Sequence, residues 1–156
     1  MKLTHCLAVL ALAGATWHYW PTRGEQQDLL VDRMWVSERT TDPRHKISAV
    51  VFFSEESKVG DEIGLFVETS IYQGDYDAFK YGLEEQKLSL TMMQSNKKVK
   101  ATYQATRCKE ERDFDYCLEL KGAPRGTTKY YSKKGMEIGS LEEALLQMNT
   151  LEQPLP

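Results

Sequence analysis

KVKATYQATRCKEERDFDYCLELK, residues 98–121, is the stretch from which the fold follows. Val99, Ala101, Tyr103 and Ala105 alternate with Lys98, Lys100, Thr102, Gln104 and Thr106. Phe114, Tyr116, Leu118 and Leu120 alternate in the same way with Asp115, Cys117, Glu119 and Lys121. A sustained period of two describes a strand buried on one face. The two strands therefore form a hairpin around Lys109 to Asp113. A register centred between Arg112 and Asp113 sets Cys108 opposite Cys117, Thr106 opposite Glu119 and Ala105 opposite Leu120. It gathers the apolar residues on one face and both cysteines on the other. Directly opposed residues sit about 4.5–5.5 Å apart, close to the separation a disulfide needs. The alternatives are two free thiols in a reducing cell, or a metal site with too few ligands, because no histidine lies near.

The same period extends in both directions. Ile47, Ala49, Val51 and Phe53 alternate with Ser48, Val50, Phe52 and Ser54 in a strand covered on one face and partly on the other. Further strands are expected over 63–72, 76–81, 87–94 (Leu88, Leu90 and Met92 inward) and 127–133. Gly74-Asp75 and Ser95-Asn96-Lys97 supply turns. Met34, Trp35 and Val36 suggest a first strand, with a helical turn also open over Leu29 to Asp32. Ser140 is a good N-cap, Glu143 follows as in a capping box, and Leu141, Ala144, Leu145 and Met148 recur at helical spacing. The chain is thus expected to be mainly β. It should form an antiparallel up-and-down barrel, or a strongly bent sheet, of six to eight strands with one C-terminal helix.

Residues 1–15 have the layout of a secretory signal, with Lys2, an apolar run from Cys6 to Ala13 and small residues at Ala13-Gly14-Ala15. Cleavage after Ala15 is the first expectation. An uncleaved anchor from Leu3 to Trp20, with Trp17, Tyr19 and Trp20 as an interfacial belt, is the alternative. Removing the leader takes Cys6 with it and leaves Cys108 and Cys117 as an even pair, as an oxidising compartment requires. Residues 16–27 read as a tether, 28–150 as a single β-rich domain and 151–156 as a frayed tail. The protein is expected to be exported, periplasmic or secreted, with membrane association only if the N-terminal segment stays in place.

The 156 residues suit one domain, and 41% hydrophobic content is enough for one core. With 20 basic against 23 acidic residues the chain shows no electrostatic signature of a nucleic-acid binder. Lys97, Lys98 and Lys100 form a local exception, which reads as a solvated turn, with a phosphate-binding patch as the alternative. His5, His18 and His45 are scattered, so no triad or histidine metal centre assembles. The acidic groups at Glu55, Glu56, Asp61 and Glu62 and at Glu110, Glu111, Asp113 and Asp115 lack calcium-loop spacing and read as turn solvation. No cofactor is implied and no enzyme is expected.

The layout resembles the lipocalin and calycin group: a first-strand tryptophan, Trp35, then a run of hairpins, then a helix after the last strand. The resemblance covers Asp28 to Met148. Arg33 stands where that group's first-strand motif has glycine. Independently, Trp35, Phe53, Tyr103, Phe114 and Tyr116 are expected to face inward, with Arg107 toward one end of its strand. They would line either a packed core or a cavity for a small apolar ligand, where Arg107 could meet a carboxylate. Two functions follow from different classes. One is an exported binding module holding an apolar ligand on that inner face. The other is an assembly factor docking an envelope protein partner through a strand edge or the C-terminal helix. An apolar cavity favours the first, and a filled interior with an exposed apolar patch favours the second.

Overall fold

The computed structural model describes residues 23–37, 46–54, 62–70, 73–109 and 113–152. A helix α1 (Arg23–Leu30) leads into eight strands: β1 (Met34–Val36), β2 (Ile47–Phe52), β3 (Ile63–Ser70), β4 (Gln73–Glu84), β5 (Lys87–Met92), β6 (Lys98–Arg107), β7 (Tyr116–Lys121) and β8 (Lys129–Ser132). Helix α2 (Leu141–Glu152) follows them. Each strand pairs antiparallel with its sequence neighbour, and Val36 against Tyr131 closes β1 onto β8, so the sheet is a closed barrel. Closure pairs every strand on both sides and leaves no open edge.

Alternation divides the buried residues into two clusters. Trp35, Val50, Phe52, Phe66, Phe79, Tyr81, Leu88, Leu90, Tyr103, Ala105, Leu118, Leu120 and Tyr130 fill the interior. Phe79 meets Phe66 at 4.7 Å between ring centres and Phe52 at 5.5 Å, and Phe52 meets Tyr81 at 5.3 Å. Gly64, opposite Phe79, leaves room for that ring: a Cβ there would lie 2.2 Å from Phe79 Cζ and 2.7 Å from the Val51 carbonyl. Trp35, Val50, Phe52, Phe79, Ala105 and Leu120 are wholly inaccessible, so no water-sized void adjoins them. The second cluster lies outside the β1–β3 wall. Met34, Val36, Ala49, Val51, Phe53, Leu65 and Val67 pack there with Ile138 and Ala144.

Both barrel ends are closed by the chain. At one end Leu30 of α1 enters the interior cluster, and its carbonyl accepts a 3.0 Å hydrogen bond from the Trp35 indole N–H. At the other, Arg125 from the β7–β8 loop donates to Asp77 at 2.8 Å and Asp75 at 3.2 Å, with Glu68 at 3.7 Å. Burial lowers the Arg125 pKa, but the hydrogen bond to Asp77 and the charges of Asp77, Asp75 and Glu68 outweigh it and hold the guanidinium above its ordinary value. Nearby, burial pushes the Tyr130 phenol up to about 12, against the lowering effects of Thr127 and Arg125.

Several sequence expectations change. Gly74 and Asp75, expected as a turn, lie within β4 opposite Thr69 and Glu68. The β6–β7 register is shifted by two residues: Thr106 faces Cys117, Ala105 faces Leu118 and Tyr103 faces Leu120. Cys108 lies just past β6, its N–H bonded to the Asp115 carbonyl, and joins Cys117 as a diagonal disulfide across a 5.2 Å Cα separation. A shift of two keeps every side chain on its face, so the face assignment survives the register correction. Phe53 and Phe114 are not inward; both belong to the outer cluster, where Phe114 stacks on Tyr131 at 4.9 Å. Finally, α1 takes in residues 23–27, read from sequence as tether, and α2 continues to Glu152. The leader, residues 1–15, lies outside the described residues.

Candidate functional site

The six residues expected to line a ligand cavity are dispersed. Trp35 and Tyr103 sit in the packed interior, where Trp35 is bonded to the Leu30 carbonyl. Phe53 and Phe114 lie outside the barrel wall. Tyr116 is half-buried at the α1 end, its ring covered by the Arg33 guanidinium 4.0 Å from the centroid. Arg107, opposite Tyr116, is exposed to solvent.

The concave feature is instead an open cleft of about 980 Å³ at the α1 end. Val31, Tyr81, Leu83 and Ile138 make up its apolar lining, and Arg33 lines it as well. Arg33 bridges to Glu137 across the backbone, donates from one terminal nitrogen to Glu137 at 2.9 Å, and from the other to the Lys133 carbonyl at 3.1 Å. Burial raises the Glu137 pKa, but amide hydrogen bonds from Glu137 and Gly135 and the Arg33 charge outweigh it, so this carboxyl lies below its ordinary value. Asp32, held at φ 50°, accepts from the Ser54 amide at 2.9 Å and from the Ser54 hydroxyl. Ser140 Oγ accepts from the Glu143 amide at 3.2 Å, the N-cap bond expected from sequence, while the Glu143 carboxylate accepts from the Gly139 amide at 2.7 Å, one residue before the cap. Asp28 and Glu62 also line the cleft and make no ion pair among the described residues. With the Arg33 charge matched by Glu137, the cleft is net acidic.

Helix α2 begins at the cleft margin. Of its described side chains only Ala144 is fully buried, seated against the outer cluster. Leu141, Leu145 and Leu146 are 43%, 46% and 65% exposed. At about 100° per residue Leu141 and Leu145 lie together on one side of Ala144, about 60° and 100° round from it, and Leu146 turns well away. The sequence LEEALLQMNTLE contains no basic residue. Helical spacing marked the apolar positions, but could not tell which of them the barrel would cover. Sequence reasoning missed the cleft altogether, because its residues come from α1, the β2 end, β4 and the 137–143 segment.

Among the described residues no group of three or more potential ligands could hold a metal ion, and no helix is long and apolar enough to cross a membrane. The fold and surface define a closed eight-stranded antiparallel barrel with a short C-terminal helix, a layout compatible with that of the lipocalins. No family model, no curated protein and no solved structure matches the chain.

Proposed function

We propose that this chain is a non-enzymatic, exported docking module that holds a protein partner through α2 and the adjoining acidic cleft. The observation carrying this reading is the exposure of Leu141, Leu145 and Leu146 on a helix that seats only Ala144 among its described side chains. Amphipathic helices bind by laying apolar side chains at helical spacing into a groove. Exposed leucines on a helix with no basic residue call for an apolar groove rimmed by lysine or arginine. The cleft fits the same partner, since Asp28 and Glu62 are open to a basic side chain beside its apolar lining. Export is supported by the Cys108–Cys117 disulfide, which persists in oxidising compartments. The packed interior weighs against the alternative of an apolar ligand held inside the barrel.

The test is photo-crosslinking from position 145 in the full-length protein in its native host, with position 89 on the opposite wall as control. The expected result is one dominant protein adduct from 145 and no protein adduct from 89. Once purified, that partner should bind at least tenfold more weakly to L141S/L145S, and also when lysines or arginines around its own groove are neutralised. Absence of an adduct, or affinity indifferent to the leucines, refutes the proposal.

A further inference from the structure

Lys98 and Lys100, read from sequence as part of a solvated turn with Lys97, lie on β6 and face outward, because Ala101 and Tyr103 take the inner face. The barrel register adds neighbours that the sequence does not place together. Lys80, Thr91 and Lys98 form one cross-strand row, and Gly82, Ser89 and Lys100 form the next. Lys87 extends the patch, facing Thr102 on one side and Glu84 on the other. Lys80, Lys87, Lys98 and Lys100 are exposed, and none has a carboxylate within ion-pair distance among the described residues. Asp75 and Asp77 of β4 lie on the opposite face, with Phe79 and Tyr81, and are engaged by Arg125 at the barrel end. A chain of net charge −3 thus carries four exposed lysines on the outer face of β4–β6, with Glu84, opposite Lys87, as the carboxylate at one border.

At the border of this wall stand two of the large apolar residues that the fold leaves exposed. Tyr76 is 65% and Met93 48% exposed. The Met93 amide bonds to the Ala78 carbonyl and Gln94 bonds to the Tyr76 carbonyl, so the two residues lie together beside the Lys80–Lys98 row. We propose that the outer face of β4–β6 docks on an anionic lipid surface, with the lysines at the headgroups and Tyr76 and Met93 entering the interface. Basic groups near an anionic leaflet attract it additively, and amphipathic tips settle at the headgroup level. Tyr76 is the one exposed aromatic beside the lysine rows among the described residues, whereas a single-strand groove stacks successive bases on several. The α2 face and the cleft are built from other elements and would stay clear for a partner.

Vesicle co-sedimentation of the full chain tests the proposal, using phosphatidylcholine with and without about 30% phosphatidylglycerol, an anionic lipid. The wild type should bind the anionic vesicles only and be released by about 0.5 M salt, which screens charges beyond a few ångströms. K98Q/K100Q should lower partitioning roughly 25-fold, about fivefold per lysine. Y76S/M93S should weaken binding while keeping its salt dependence. All these positions are exposed, so unchanged melting temperatures show that the variants are folded. Binding indifferent to lipid charge or to Lys98 and Lys100 overturns the proposal. Lysine-dependent retention on heparin without vesicle binding also overturns it, assigning the wall to a soluble polyanion.

Discussion

Among the described glycines, Gly64 has the least room for one added methyl group. Gly64→Ala places a Cβ 2.2 Å from Phe79 Cζ, 2.3 Å from Phe79 Cε2 and 2.7 Å from the Val51 carbonyl. The carbonyl belongs to β2, locked in the ladder through Val51 against Leu65, so the ring must yield. Phe79 is inaccessible to solvent and its neighbours Phe52, Phe66 and Tyr81 are nearly so. Overpacking a tight core costs about 1–3 kcal/mol, and disturbing an aromatic pair adds roughly 0.5–1.5 kcal/mol. The expected loss is about 3 kcal/mol, or roughly 10 °C in melting temperature for a domain of this size. Shortening the ring partner should restore part of it, with a coupling of at least about 1 kcal/mol between Gly64→Ala and Phe79→Leu in a double-mutant cycle. Urea denaturation followed by far-UV circular dichroism measures all four corners. A G64A protein within about 0.5 kcal/mol of wild type, the range of an ordinary surface change, would refute the packing described here.

Replacing Cys108 and Cys117 together by alanine should cost about 2.7 kcal/mol, from the loop-closure entropy of a short cross-link, read as a drop in the urea midpoint. An unchanged midpoint under non-reducing conditions would refute the cross-link. Arg125→Ala should destabilise by about 1–2 kcal/mol, below the cost of breaking a fully buried pair because its carboxylates are partly hydrated. The loss should shrink in high salt. Glu137 has a lowered folded pKa, so its stabilisation is complete above the ordinary carboxylate value of 4.5 and disappears as pH falls through the folded value. Glu137→Gln should therefore melt below wild type at neutral pH and converge with it in acid; a gap independent of pH would remove the ionic part of that account.

Much of the fold was legible before any coordinates. Strong alternation in β6 and β7 reflects a wall wet on one side, and the strand positions and the α2 cap follow from local chemistry. Two features were not legible, for separate physical reasons. Ile47 to Phe53 is apolar on both faces because α2 and the 136–138 segment bury the outer side of β2, so alternation could not say which face was interior. Val50 and Phe52, not Val51 and Phe53, point inward. The diagonal disulfide escaped because a two-residue register shift leaves each residue's face unchanged, and side-chain polarity cannot see it. The candidate site was less legible than the fold. The cleft joins segments distant in sequence, and the exposed leucines resemble core positions until the barrel shows which side of the helix it covers.

A filled barrel interior leaves the outer surface as the place where the proposed binding occurs. Titration of the delipidated protein with a fluorescent fatty acid tests it most directly. A filled core predicts no saturable one-to-one uptake, and none when Tyr103 is substituted. Saturable uptake at micromolar concentration, abolished by substituting Trp35 or Tyr103 in a protein that still folds, would contradict it.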